Sequence, residues 1–182
     1  RQPCSTLLHS PATFRSYLLG GFQSAGVLPL RLQEWGVGAA VGGCLKWLCG
    51  GPGNAFLYVD PDIGRDLEPR LTGWMAHPAP FAFEPPPVRR LDGAARFLNG
   101  TPTVPAHYAA IAGLDIVNEI GLELIRRNSV ALTQLLLDEA SAHGWSSATP
   151  LVPAQRGGTV ALDIEHGEQV SQELLARNIV VD

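Results

Sequence analysis

The alternation of apolar and polar residues changes several times along the chain. Val27 to Ala40 reads as a turn, a short helix-like stretch from Leu30 to Trp35, and a strand entering Val41. Residues 41–53, VGGCLKWLCGGPG, form a glycine-rich loop, and Ala55 to Val59 is a short strand of β-type residues. Asp60 to Pro69 is polar and turn-like. Residues 71–105 carry much of the proline and two aromatic pairs, and predict irregular structure. From Ala106 the helical period takes over. Tyr108, Ile111, Ala112, Asp115 and Ile116 mark one helix, with Gly121 as its C-terminal stop. Leu122 to Ala142 marks a second helix, with apolar residues at Leu124, Ile125, Leu132, Leu135 and Leu136, closed by Gly144. Thr159 to Ile164 reads as a strand, Glu168 to Arg177 as a helix and Ile179 to Val181 as a last strand. That β–α–β run predicts a small α/β lobe following a helical connector.

Composition narrows the function classes. The 182 residues are 46% hydrophobic, enough for one domain with a core or for one large and one small lobe. A net charge of −4 gives no nucleic-acid footprint, and no apolar run approaches the roughly 20 residues that span a membrane. Arg1 to Ser10 lacks the order of a signal peptide. Cys4, Cys44 and Cys49 are too few for a disulfide framework, so the expectation is a cytoplasmic protein with reduced thiols. A metal site from Cys44, Cys49 and a histidine is disfavoured by spacing and by the lack of a second pair. Of the 13 basic residues only Lys46 is a lysine. Arginine stays protonated and forms no imine, so a retained lysine points to amine chemistry, or to chance in an arginine-rich composition.

The neighbourhood of Lys46 bears on that choice. Gly42, Gly43, Gly50, Gly51 and Gly53 allow tight turns and close approach of a ligand. Apolar flanks at Leu45 and Trp47 are suited to desolvating the amine, which lowers a lysine pKa and frees its lone pair. The order of residues is not that of a phosphate-binding P-loop.

Residues 21–59, GFQSAGVLPLRLQEWGVGAAVGGCLKWLCGGPGNAFLYV, resemble the cofactor-lysine region of kynureninases and related class V aminotransferase-fold enzymes, which use pyridoxal phosphate (PLP). GWMAHPAPFAFEP (Gly73 to Pro85) and RFLNGTPTVPA (Arg96 to Ala106) continue the resemblance, which covers about Leu19 to Asp182. It implies an α/β fold: a partial PLP-dependent transferase large domain of the aspartate aminotransferase-like type over residues 1–105, a helical connector over 106–144 and a partial C-terminal small lobe over 145–182. It also implies roles. Lys46 is the Schiff-base lysine and later moves protons at Cα and C4′. Gln23 holds the cofactor's phenolic oxygen. Gly100 and Thr101, in a Gly-Thr-Pro turn, meet the phosphate, commonly from the neighbouring subunit of a homodimer. Trp74 lines the phosphate and substrate side, and His77 is a substrate-side candidate. Read without the family, Trp74 and Phe81 have the alternative of core, His77 of a surface turn and Thr101 of a helix cap.

The implied reaction is hydrolytic Cβ–Cγ cleavage of kynurenine to anthranilate and alanine, in tryptophan catabolism. An aminotransferase or cysteine desulfurase-like lyase is the alternative. The Gly-Trp-x-x-His element favours the first, and a desulfurase needs a mobile cysteine where Cys44 and Cys49 instead flank the lysine. Two departures support a third reading, a non-catalytic truncated remnant. The family's aspartate for the pyridine nitrogen is replaced by Gly20. The Phe14-Arg15-Ser16 motif lies almost against the Gln23 turn, and no arginine-bearing terminal segment follows Asp182, as expected of a fragment.

Overall fold

The computed structural model describes residues 17–182, so Arg1 to Ser10, Cys4 and the Phe14-Arg15-Ser16 motif lie outside the described residues. Three strands make the first sheet, in the order β1 (Tyr17–Gly20), β2 (Val37–Gly43) and β3 (Ala55–Val59). β1 and β2 run parallel, whereas β2 and β3 are antiparallel, with Gly43 opposite Ala55 and Ala39 opposite Val59. Among the described residues this sheet is therefore mixed. Residues 44–54 are too short a connection for a crossover helix, so the chain must double back. β2 also continues through Gly43, so the glycine-rich loop begins later than its composition suggests.

The helix expected at Leu30 to Trp35 is instead a single hydrogen-bonded turn. Trp35 N–H donates to the Arg31 carbonyl at 3.0 Å and Val37 N–H to the Leu32 carbonyl at 2.9 Å. Pro29 before it and Gly36 at φ 64° after it leave no length to repay helix nucleation. Beyond β3, Asp60 caps a one-turn helix α1 (Pro61–Gly64), accepting from Asp62 N–H at 3.0 Å, within a stretch expected to be only turn-like. Short 3-10 turns at Trp74–Ala76, Pro80–Ala82 and Gly93–Phe97 occupy the proline-rich segment.

Helices α2 (Val104–Ile120) and α3 (Leu122–Ala142) meet at Gly121, φ 81°. α2 buries Ala110, Gly113 and Val117, while Tyr108, Ile111 and Ile116 are exposed. Its small residues, not its large ones, face the rest of the chain. α3 is tied to the C-terminal part by Arg156, which is 2% exposed. The guanidinium donates to Thr133 Oγ1 at 3.0 Å, the Leu151 carbonyl at 2.7 Å, the Val130 carbonyl at 3.3 Å and Gln134 Oε1 at 2.8 Å.

The C-terminal lobe contains a two-stranded antiparallel pair, β4 (Ser146–Ser147) and β5 (Leu162–Asp163), and helix α4 (Gly167–Leu175). The strand expected over Thr159 to Ile164 thus shrinks to two residues. Ile179 to Val181 forms no strand. Asn178 turns left-handed at φ 60°, and Asn178 and Ile179 N–H bond back to the Leu175 and Leu174 carbonyls, each at 2.9 Å. This is a Schellman closure of α4. It sends the chain back along the helix, where Ser171 Oγ donates to the Val181 carbonyl at 3.3 Å.

Candidate active site

The lysine loop leaves β2 after Gly43 and is pinched shut at its base. Gly50 N–H donates to the Cys44 carbonyl at 2.7 Å, and Cys44 N–H to the Asn54 carbonyl at 3.0 Å. Inside the loop, Cys49 N–H donates to the Lys46 carbonyl at 3.0 Å. Lys46 is exposed at the tip. Its apolar flanks do not enclose the amine as expected, because Leu45 and Trp47 are themselves exposed. Cys44 is buried, which pushes its thiol pKa up, and Cys49 is exposed.

The turn carrying Gln23 lies against both arms of this loop. Gly21 N–H donates to the Val41 carbonyl at 2.7 Å and Ala25 N–H to the Gly21 carbonyl at 3.0 Å. The Phe22 ring covers Gly43, where an added Cβ would fall 2.2 Å from it. Gly26, φ 95°, backs onto the Trp47–Leu48 peptide, with a built Cβ 2.5 Å from the Trp47 carbonyl carbon. Gln23 is exposed between these two contacts. Gly20, at the end of β1 opposite Val41, is exposed, and its Cβ position has nothing within 4 Å. No carboxylate stands at that point.

Trp74 and Gly100 form a second cluster, with Thr101 following in the chain. Gly73 N–H donates to the Leu98 carbonyl at 3.0 Å and Met75 N–H to the Asn99 carbonyl at 3.1 Å. This stitching puts the Trp74 indole nitrogen 3.7 Å from the Cβ position of Gly100. Trp74 is 39% exposed and meets Phe81 edge to face at 5.2 Å; Phe81 is 72% exposed, so neither is core. Thr101 is exposed and does not cap α2, whose N-cap is Thr103. α2 then leads from this cluster to the lysine loop. Ala106 Cβ lies 3.2 Å from the Cβ position of Gly53, Ala110 Cβ 3.3 Å from that of Gly50, and Gly113 packs on the Cys49 carbonyl.

His77 turns elsewhere. Its Nδ1 accepts from Ala79 N–H at 3.0 Å, so the Nε2 of the neutral ring carries the proton. That nitrogen approaches Glu84 Oε2 at 3.4 Å without hydrogen-bond geometry and has no other partner among the described residues. Glu84 is gripped by Arg89, with Nε at 2.8 Å and the Nη2 contact beside it, which holds the Glu84 carboxyl below the usual carboxylate range.

The site as read from sequence missed Asn54, Gly26 and Gly113. A glycine inside the apolar period of α2 is the one signal that marks a close backbone approach. Bordering the lysine loop at Trp47, an open, mostly apolar pocket of 540 Å³ is lined also by Val27, Leu124, Leu132 and Gly158 among others.

Comparison with known proteins bears on both the sequence and this geometry. Residues 125–182 match the kynureninase C-terminal domain family. Kynureninase from Pseudomonas fluorescens is 36% identical over 165 residues, an alignment of 87% of this chain and 39% of the relative. Kynureninase from Burkholderia mallei strain SAVP1 is 37% identical over 168 residues, with the same shares. In fold, the chain is similar to the apo cysteine desulfurase of Thermococcus onnurineus NA1, with TM-score 0.79 and 20% identity over 92% of this chain and 42% of that one. It is also similar to alanine–glyoxylate aminotransferase from Nostoc sp., with TM-score 0.61 and 21% identity over 90% and 43%. The chain thus spans less than half the length of each. In sequence the chain is thus similar to part of the kynureninases, and in fold it is an α/β protein similar to fold type I enzymes.

Proposed function

We propose that this chain is the lysine-bearing portion of a PLP-dependent, kynureninase-like hydrolase. It acts on a small amino acid, cleaving the Cβ–Cγ bond of kynurenine to give anthranilate and alanine in tryptophan catabolism. The complete protein is a cytoplasmic homodimer in this reading. Residues 1–105, 106–144 and 145–182 are its partial cofactor domain, helical connector and partial small lobe. The observation that carries the proposal is the exposed amine of Lys46 on a loop closed by the Gly50–Cys44 hydrogen bond, with the Gln23 turn packed across both arms.

The residues present suit the cofactor in part. An exposed primary amine suits an aldehyde carbon, the Gln23 carboxamide suits a ring oxygen, and Gly100, Thr101 and Trp74 offer a hydroxyl, a backbone turn and an aromatic edge to a phosphate. PLP supplies an electron sink for the bond cleavage when bound. Lys46 would hold the aldehyde carbon, and its amine would then carry the protons moved at Cα and C4′. Its loop is braced from both sides, so the amine is presented from a rigid base. The match fails at Gly20, which offers no carboxylate to a ring nitrogen.

His77 enters this reading as a substrate-side candidate on the resemblance alone, since its Nε2 is buried towards Glu84 at 3.4 Å. A desulfurase-like role fits less well, because Cys49 is exposed but its carbonyl is seated on Gly113, which restrains the movement such a cysteine needs. One observation favours a non-catalytic relative: the open space at Gly20.

The test is to incubate the chain with PLP, reduce with borohydride and map the modified residue, alongside an anthranilate fluorescence assay with kynurenine. The expected result is a weak adduct at Lys46, abolished in Lys46→Arg, and no anthranilate from this chain alone. Labelling that persists in Lys46→Arg overturns the assignment of Lys46.

A further inference from the structure

Asn54 joins segments that are far apart in sequence. Its carboxamide nitrogen donates to the Gly50 carbonyl at 3.4 Å and to the Ala106 carbonyl in the first turn of α2. Its own backbone carbonyl accepts from Cys44 N–H at 3.0 Å. One residue therefore touches both ends of the lysine loop and fastens the exit of that loop to α2.

The rest of this contact is apolar and made by small groups. Ala106, Ala110 and Gly113 lie on one face of α2 by helical spacing and meet Gly53, Gly50 and Cys49 in turn. Such contacts set how closely the loop approaches the helix. They constrain its position along the helix axis weakly, because packing of small apolar groups has little directionality. A hydrogen bond weakens steeply when its angle is lost, so the carboxamide supplies the missing constraint.

We infer that Asn54 is a positioning residue for Lys46: it sets the register of the lysine loop along α2, and so the place from which the amine is presented. This rests on the reading of Lys46 as the cofactor lysine. PLP has to meet several groups at once, so its capture depends on where the amine stands. Formaldehyde meets the amine alone, so reductive methylation depends only on access.

The experiment compares the full chain with Asn54→Ala and Lys46→Arg. Each is treated with limiting PLP and borohydride, and separately with formaldehyde and borohydride, with modification at residue 46 quantified by peptide mapping and folding followed by thermal melting. The expected result is about a tenfold loss of PLP labelling in Asn54→Ala, the worth of the lost hydrogen bonding, with methylation of Lys46 unchanged. Asn54→Asp keeps the volume and the backbone carbonyl but turns an acceptor towards two carbonyls. It should lose at least as much labelling, and it carries the test if the alanine variant does not fold. Equal PLP labelling in the wild-type and variant chains overturns the proposal. So does a parallel fall in labelling and methylation, which marks a structural residue only. If the wild-type chain takes no PLP at Lys46 while formaldehyde methylates it, the reading of the lysine itself fails, and the role of Asn54 falls with it.

Discussion

The carbonyl oxygen of Cys49 faces Gly113 of α2 so closely that a Cβ built on that glycine would sit 1.9 Å from it. The loop that presents Lys46 is thus seated on bare helix backbone. Gly113→Ala improves helix propensity by about 1 kcal/mol, yet the loop must be displaced to admit the methyl. Overpacking of this kind costs about 1–3 kcal/mol. We expect a net loss of stability in urea denaturation and lower PLP labelling of Lys46. Gly157→Ala, where nothing lies within 4 Å, is the control and should be near neutral.

Cys49 itself is left-handed, at φ 54°, and its side chain is exposed. That conformation costs an ordinary residue about 1–2 kcal/mol, and asparagine adopts it more readily. Cys49→Asn should therefore raise the melting temperature. A fall would mean that the thiol contributes more than its 3.8 Å contact with the Trp47 carbonyl indicates.

Arg156 is buried with four neutral acceptors around its planar guanidinium. A lysine cannot reproduce that fork. Arg156→Lys should cost about 2 kcal/mol through acceptors left unmet, and Arg156→Ala more, each read from the denaturation midpoint. A neutral Arg156→Lys would show that the acceptors find other partners.

The open position at Gly20 predicts a tolerated gain. Gly20→Asp meets no atom within 4 Å of its Cβ, so the melting temperature should hold. If the proposed function is correct, the new carboxylate pairs with the ring nitrogen and tightens PLP binding several-fold. An absorbance titration measures this, and unchanged affinity would count against that placement of the cofactor.

Glu84 provides an acid-side signature. Arg89 depresses its carboxyl pKa, so the stabilisation is present above the ordinary glutamate value of about 4.3 and is lost as pH falls through the lower folded value. Melting curves of wild type and Arg89→Ala should differ at neutral pH and converge below that window. A difference that persists in acid would assign the effect to packing instead of charge.

Much of the helical part was legible in the chain. Gly121 and Gly144 bound α3, and the apolar period locates both long helices to within a few residues, because propensity and periodicity are local properties. Which face is buried was not legible. The large residues Tyr108, Ile111 and Ile116 imply one face, yet Ala110, Gly113 and Val117 occupy the interior, because what packs there is the backbone of the lysine loop. Leu30 to Trp35 and Ile179 to Val181 fail for related reasons. One was too short between Pro29 and Gly36 to repay nucleation. The other was diverted by the left-handed turn at Asn178 before it could reach a strand edge.

For the candidate site, sequence alone determined the identities: one lysine among thirteen basic residues, the glycines around it, and a glycine at position 20. Those are chemical facts about side chains, and no fold alters them. Only the tertiary structure decided which residues share a neighbourhood. It packs Phe22 and Gly26, which flank Gln23, against the ends of the lysine segment, sets Trp74 beside Gly100, turns His77 towards Glu84 and draws Asn54 onto the carbonyl of Ala106, 52 positions away. Such meetings depend on the direction of β3 and on the close approach that glycine permits. Both are settled by the packing of distant segments and not by any local run of residues.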